Sequence, residues 1–144
     1  TLPSISSPIV IQQPAPQLRQ ALNTLLPKVD ALLTHHDPKL FNPDSIRNIL
    51  LSSYRQQKPL ICHTQALVTA GCIMGVHSSA TELIKESLDW IQYYQNHGEN
   101  HPLQPPRHSR HFSVSINNRV AQSLGFRLTH PSKLTQQLQE LEDE

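Results

Sequence analysis

A parallel-sheet α/β domain is the fold class this sequence predicts, and three observations carry the prediction. Short apolar runs bounded by polar or proline-containing turns recur as "VDALLTHH", "KPLICHT" and "CIMGVHSS". Runs of that length suit buried strands. Between and around them lie longer stretches whose apolar residues repeat with the helical period, and strands alternating with helices build parallel βαβ units. The length, 144 residues, suits one domain with a sizeable core.

Residues 1–8 are read as an N-terminal tail, and "PIVIQQ" at 8–13 as a first strand, β-branched and bounded by prolines. "APQLRQALNTLL" follows, with Leu18, Ala21, Leu22, Leu25 and Leu26 at helical spacing, and Pro27 closes that helix. "VDALLTHH", residues 29–36, is the next strand. In "FNPDSIRNILLSSYRQQ" the helix start is well marked. Asn42 can cap, Pro43 suits the first helical position, and Asp44 suits the positive end of the helix dipole. Ile46, Ile49, Leu50 and Tyr54 form its expected buried face. "KPLICHT" at 58–64 and "CIMGVHSS" at 72–79 are further strands, joined by the short turn or helix "QALVTAG".

The longest helix, "SATELIKESLDWIQYYQN", opens with Ser79 and Glu82 in capping-box spacing, and Leu83, Leu88, Ile91 and Tyr94 mark its apolar stripe. Residues 97–110 form a loop rich in proline and histidine. Beyond it, "HFSVSIN" alternates as an edge strand does, and "NNRVAQSLG" is a short helix with Gly125 as a left-handed C-cap. "PSKLTQQLQELEDE" makes a polar final helix. Residues 1–144 are expected to form a single domain.

Composition narrows the function classes. The formal net charge is +1 with neutral histidines, so no basic field invites nucleic acid. The apolar runs are far too short to span a bilayer, and membrane insertion is not expected. No charged-then-apolar leader opens the chain, which fits a cytosolic protein or one whose signal has been removed. There is no Gly-rich phosphate loop, no G-x-S-x-G elbow and no H-E-x-x-H helix. Cys62 and His63 are strand neighbours and point to opposite faces, which removes them as a nucleophile–base pair. Neither catalysis nor a cofactor is expected.

The cysteines, Cys62 and Cys72, are read first as buried thiols in apolar stretches, with a disulfide as the alternative. Of the nine histidines, His97, His101, His108 and His111 fall in or beside "NHGENHPLQPPRHSRH". With no cysteine or acid pair near them, they are read as a solvated loop rather than a metal site.

Open parallel sheets bind ligands in the crevice beyond the carboxyl ends of their strands. Three expected strands end in histidine: His35 and His36 after "VDALLT", His63 after "PLIC", and His77 after "CIMGV". If the three are parallel neighbours, these rings share one rim with Asp37, Thr64, Gln65, Ser78 and Ser79. Such a rim admits a metal held by His36, Asp37, His63 and His77, or a small polar molecule oriented by hydroxyls, an amide and an acid. It also admits polar residues gathered at strand ends only because loops face water. Trp90, near Tyr93 and Tyr94, is expected to pack its helix against the sheet or a partner chain. Asn117 is expected to cap the short helix that follows it.

The order "QLRQALNTLLPKVDALLTHHD", "KPLICHTQALVTAGCIMGV", "FSVSINNRVAQSLGFRL" resembles the second half of the ABC-transporter substrate-binding proteins. This is the periplasmic-binding-protein-like family that includes binders of aromatic amino acids. The matching positions are Val29, Asp30 and Ala31 leading to Asp37, then Lys58, Pro59 and Leu60, then Gly71, Cys72 and Ile73. Ile116 and Asn117 follow, with Ala121, Leu124 and Gly125. Together they run through most of residues 9–130. Pro38 stands where the family often has asparagine, and Ile84 and Leu88 where it often has glycine.

The resemblance implies an incomplete, three-layer parallel-sheet lobe of the kind that closes with a second lobe on a solute. It implies a non-catalytic, solute-binding component of an ABC-type transport system, bacterial and periplasmic or otherwise extracytoplasmic. The ligand would be a small molecule such as an amino acid. His36, Asp37, Thr64 and Gln65 would recognise it, Asp37 accepting from an ammonium or hydroxyl group and the others orienting it. An ABC permease or a receptor would be the partner, and a second copy would complete unpaired sheet edges as a homodimer. Two other readings stay open: a sensory or dimerisation module without ligand, and a histidine-rimmed metal-binding domain.

Overall fold

The computed structural model describes residues 15–98, 102, 105 and 109–142. The tail at 1–8 and the strand expected at 8–13 lie outside the described residues, as does most of the proline- and histidine-rich loop. Helix α1 covers Ala15–Leu25 and runs into a turn of 3-10 helix at Leu26–Lys28. Leu18, Leu22 and Leu26, spaced four apart, are all buried, so the predicted stripe is the face that packs.

The strand expected over 29–36 is much shorter. Only Leu32–Leu33 pairs, as β1, through Leu32 N–H to Pro59 O and Thr34 N–H to Ile61 O. β1 lies at one edge of the described sheet, and Leu33 is 77% exposed. An edge strand with one side chain in water is not the doubly buried run its composition suggests.

Helix α2, Pro43–Arg55, starts as its sequence dictates. Asn42 accepts from the Asp44 and Ser45 amides, Ser45 returns the bond to the Asn42 N–H, and Pro43 takes the first turn. Ile49 is buried, while Tyr54 is half exposed and so leaves the face expected for it. Buried Ser53 donates to the Lys58 carbonyl, closing the turn into β2, Leu60–Cys62. Helix α3, Gln65–Ala70, is capped by Thr64 and leads to β3, Met74–His77. Gly75 is required there, because a Cβ would lie 2.7 Å from both the Cys62 carbonyl oxygen and a Val68 methyl.

Helix α4 spans Ala80–His97, β4 Ser113–Ile116, α5 Asn118–Ser123 and α6 Pro131–Glu142. The sheet order is β1-β2-β3-β4. β1, β2 and β3 are parallel, as predicted, but β4 is antiparallel to β3 with His77 opposite Ser113 and Met74 opposite Ile116. The reason is topological. The excursion through α4 leaves and returns at the same edge of the sheet, so β4 has to run back across it. The fold is therefore α/β with a mostly parallel sheet.

The core gathers α1, α2, β2 and α3: Leu18, Leu22, Leu26, Ile49, Leu60, Cys62, Val68 and Cys72. Cys62 and Cys72 are buried, as expected, but joined as a disulfide with Cα atoms 6.1 Å apart, which corrects the free-thiol reading. The two cysteines flank α3, which brings the chain back so that their Cα separation falls within disulfide reach. The largest departure is α4, which buries none of its residues. Leu83, Ile84, Leu88 and Ile91 are each more than half exposed. Asn117 does cap α5, accepting from Val120 N–H, and also ties it to α3 by donating to Val68 O at 2.9 Å. Gly125 takes a φ of 78°, the left-handed position expected of it.

Candidate functional site

Because β1, β2 and β3 are parallel neighbours, their carboxyl ends share one edge of the sheet. At the β1 and β2 ends this edge carries a cluster built around His63. Its Nδ1 shares a 2.8 Å hydrogen bond with the hydroxyl of buried Thr34, which fixes the ring across the two strands. His36 meets it edge-on with centroids 5.8 Å apart, and Phe41 does the same at 5.9 Å. His35 meets Phe41 edge-on at 6.3 Å. Burial lowers the pKa of His63 from the ordinary 6.5, and the neighbouring His36 and His35 lower it further. At neutral pH the ring at the centre is uncharged, an acceptor or donor according to its tautomer.

The remaining expected residues are placed nearby but are engaged locally. Asp37 turns one carboxylate oxygen to the backbone N–H groups of Lys39 and Leu40, at 2.9 and 3.3 Å, and so shapes the loop that presents Phe41. Thr64 spends its hydroxyl on the α3 cap, accepting from Leu67 N–H at 3.2 Å. Gln65, the first residue of α3, is exposed. His36 is exposed at the rim.

The rim is not continuous. Cys62 lies opposite Gly75, so His63 is level with Val76 and strand alternation turns His77 to the other face. His77 Nε2 shares a 2.8 Å hydrogen bond with Ser115 on β4. His36, Asp37, His63 and His77 therefore do not form one metal-ligand group, which speaks against the alternative of a histidine-rimmed metal site. His77 also lines a cavity of about 380 Å³ with Val76, Ser78, Ser109, Phe112, Leu138 and Leu141.

Two features escaped the sequence reading. Phe41 sits just before the cap of α2, a position where an apolar residue commonly fixes the entering chain, and that signal was available. The other is a set of donors along α4. His111 meets Asp89 at 2.8 Å and Glu86 lies beside them, so the loop end is not without acids. Those acids lie more than twenty residues away in sequence, where local spacing cannot show them. Among the described residues no helix is long and apolar enough to cross a membrane.

No family model matches the chain, and no curated protein does. Solved structures are similar. One is the ABC domain in complex with L-Trp from Streptococcus pneumonia, at a TM-score of 0.56 and 18% identity, over 80% of this chain and 38% of that one. Another is a conserved domain protein from Vibrio cholerae O1 biovar eltor str. N16961, at a TM-score of 0.54 and 14% identity, with the same coverage. The chain thus spans well under half the length of these structures. The likeness shows the fold alone: an α/β arrangement shared with part of each of these structures.

Proposed function

We propose that the chain is the solute-binding lobe of an ABC-type uptake or sensing system, without catalytic activity of its own. The observation that carries this reading is the His63 cluster. It places a neutral, oriented imidazole, a second imidazole and a phenyl ring at the carboxyl edge of a parallel sheet, where this architecture binds ligands. The ligand is a small molecule of the amino-acid class, and the L-Trp held by one structural neighbour supports including aromatic ones. His36 and His63 make the contacts, flanked by Gln65; Asp37 and Thr64 serve mainly to hold the loops that carry them. A permease or receptor is the partner. The buried Cys62–Cys72 disulfide supports an oxidising, extracytoplasmic setting.

Native mass spectrometry of the protein as purified tests this. The reading expects a small organic adduct that His63→Ala loses while the fold is retained. An adduct unaffected by that change, or none on addition of each amino acid in turn, counts against it.

A second reading is a dimerisation module. The exposed aliphatic face of α4 favours it, since four such side chains on one helix are rarely left to water. A concentration-independent monomer mass would set it aside.

A further inference from the structure

The polar side of α4 meets the segment before β4 in one cluster of metal-ligating groups. Glu86 and Asp89 are three residues apart on the helix, so their carboxylates share a face. His111 comes from a separate segment, two residues before β4 begins. One ligand atom from each of the three lies within 4.8 Å of the other two. His111 Nε2 is 2.8 Å from Asp89 Oδ2. Neither the His63 cluster nor the cavity beside His77 needs these carboxylates.

The surroundings hold two of the three donors in position. Glu86 Oε2 accepts from the Arg110 backbone N–H at 3.1 Å and from the Ser109 hydroxyl at 3.4 Å. The backbone of His111 is fixed at both ends of its peptide. Its N–H donates to Ser109 Oγ at 3.2 Å, and its carbonyl accepts from Ser78 Oγ at 2.8 Å. Such outer contacts are how proteins aim carboxylate and imidazole ligands at an ion.

The donor set selects the ion. One imidazole with two carboxylates suits zinc and similar divalent transition ions better than calcium or magnesium, which prefer all-oxygen shells. A tetrahedral ion with bonds of about 2.0–2.2 Å spaces its ligands by about 3.4 Å. Donor atoms already within 4.8 Å reach that spacing by side-chain rotation.

We propose that Glu86, Asp89 and His111 form a binding site for a zinc-class divalent cation, which ties the lead-in of β4 to α4. Binding requires Nε2 of His111 to be unprotonated, so the proton it carries moves to Nδ1 or to solvent. Water completes the coordination. The bound ion would add a link between the β4 lead-in and α4, a helix with no fully buried residue.

The test is titration of the intact chain with zinc chloride and, separately, with cobalt chloride, followed by calorimetry and visible absorption. The proposal expects one equivalent bound and a cobalt spectrum of low coordination number, more intense than that of the aqueous ion. Glu86→Gln, Asp89→Asn and His111→Gln should each weaken that equivalent at least about tenfold, the lower end of what even outer-shell changes cost. His36→Gln should leave it unchanged. A wild-type cobalt spectrum identical to the aqueous ion overturns the proposal without recourse to any variant. So does zinc binding that survives all three changes, or that falls with His36→Gln instead.

Discussion

Helices α2 and α4 begin alike and end up differently. Each opens with a capping box, Asn42 with Ser45 and Ser79 with Glu82, and each carries an apolar stripe on an otherwise polar cylinder. α2 turns its stripe inward and buries Ile49 against α1 and the β2–α3 core. α4 instead sets its acids against the segment that leads into β4. Glu82 accepts from Ser113, Glu86 from Ser109 and Arg110, and Asp89 meets His111, while Leu83, Ile84, Leu88 and Ile91 face water. Periodicity establishes that a helix has two faces. Which face the rest of the fold takes depends on what partners that fold offers, and at the β4 lead-in it offers hydroxyls, amides and an imidazole.

Truncations on the two stripes should separate the helices most sharply. Ile49→Ala removes a side chain that is 3% exposed, at an expected cost of about 2–5 kcal/mol in chemical denaturation. Ile91→Ala, at 51% exposure, should stay within about 0.5 kcal/mol. Equal losses would mean that α4 is covered in solution and that the two helices are not in different situations.

The disulfide belongs to the α2 side of the molecule and gives the next largest effect. It closes a loop ten residues long in sequence separation. Replacing both cysteines by alanine should cost roughly 3 kcal/mol by chain-entropy reasoning, read from the same denaturation curves with and without reductant. The caps come third. Asn42→Ala should cost about 1 kcal/mol, since it orphans two amides at a half-buried helix start. Ser79→Ala should cost the same or less, because the start of α4 is exposed.

Acid should loosen α4 before α2. The Ser113 hydroxyl, then the Ser79 backbone and side chain, hold the Glu82 pKa down from 4.5 to about 2. A carboxylate whose folded pKa is depressed lends stability that is present above its unfolded value and disappears as pH falls toward the folded one. Wild type should therefore lose stability between about pH 4.5 and 2 that Glu82→Gln does not, seen as diverging acid melts. The smallest effect concerns His63. Its lowered pKa means the unfolded chain takes up the proton first, so stability falls as pH drops through 6.5. His63→Gln should flatten that slope.

Much of the fold was legible because its signals are local. Asn42–Pro43–Asp44, the Ser79–Glu82 pair, Asn117 as a cap and Gly125 as a C-cap all act within a few residues. What failed depends on distant partners. The length of β1 is set by its place at the edge, the direction of β4 by where α4 returns the chain, and the disulfide by how the chain returns through α3. The site divides in the same way. That histidines end three parallel strands could be read from the runs themselves. That His36 and His63 converge with Phe41 while His77 turns to Ser115 follows from pairing register. Asp37 and Thr64 were legible as polar residues at strand ends, yet both answer first to the backbone amides beside them.

The proposed solute site at the His63 cluster can be tested through the imidazole proton NMR spectrum. The protein would be titrated with each amino acid in turn, aromatic ones first. For at least one of them the His36 and His63 ring signals should shift together and saturate, while those of His77 and His111 stay in place. If none moves the His36 and His63 signals in a folded protein, or if all four histidines drift without saturation, the cluster is a structural feature of the sheet edge and the solute-binding account is wrong.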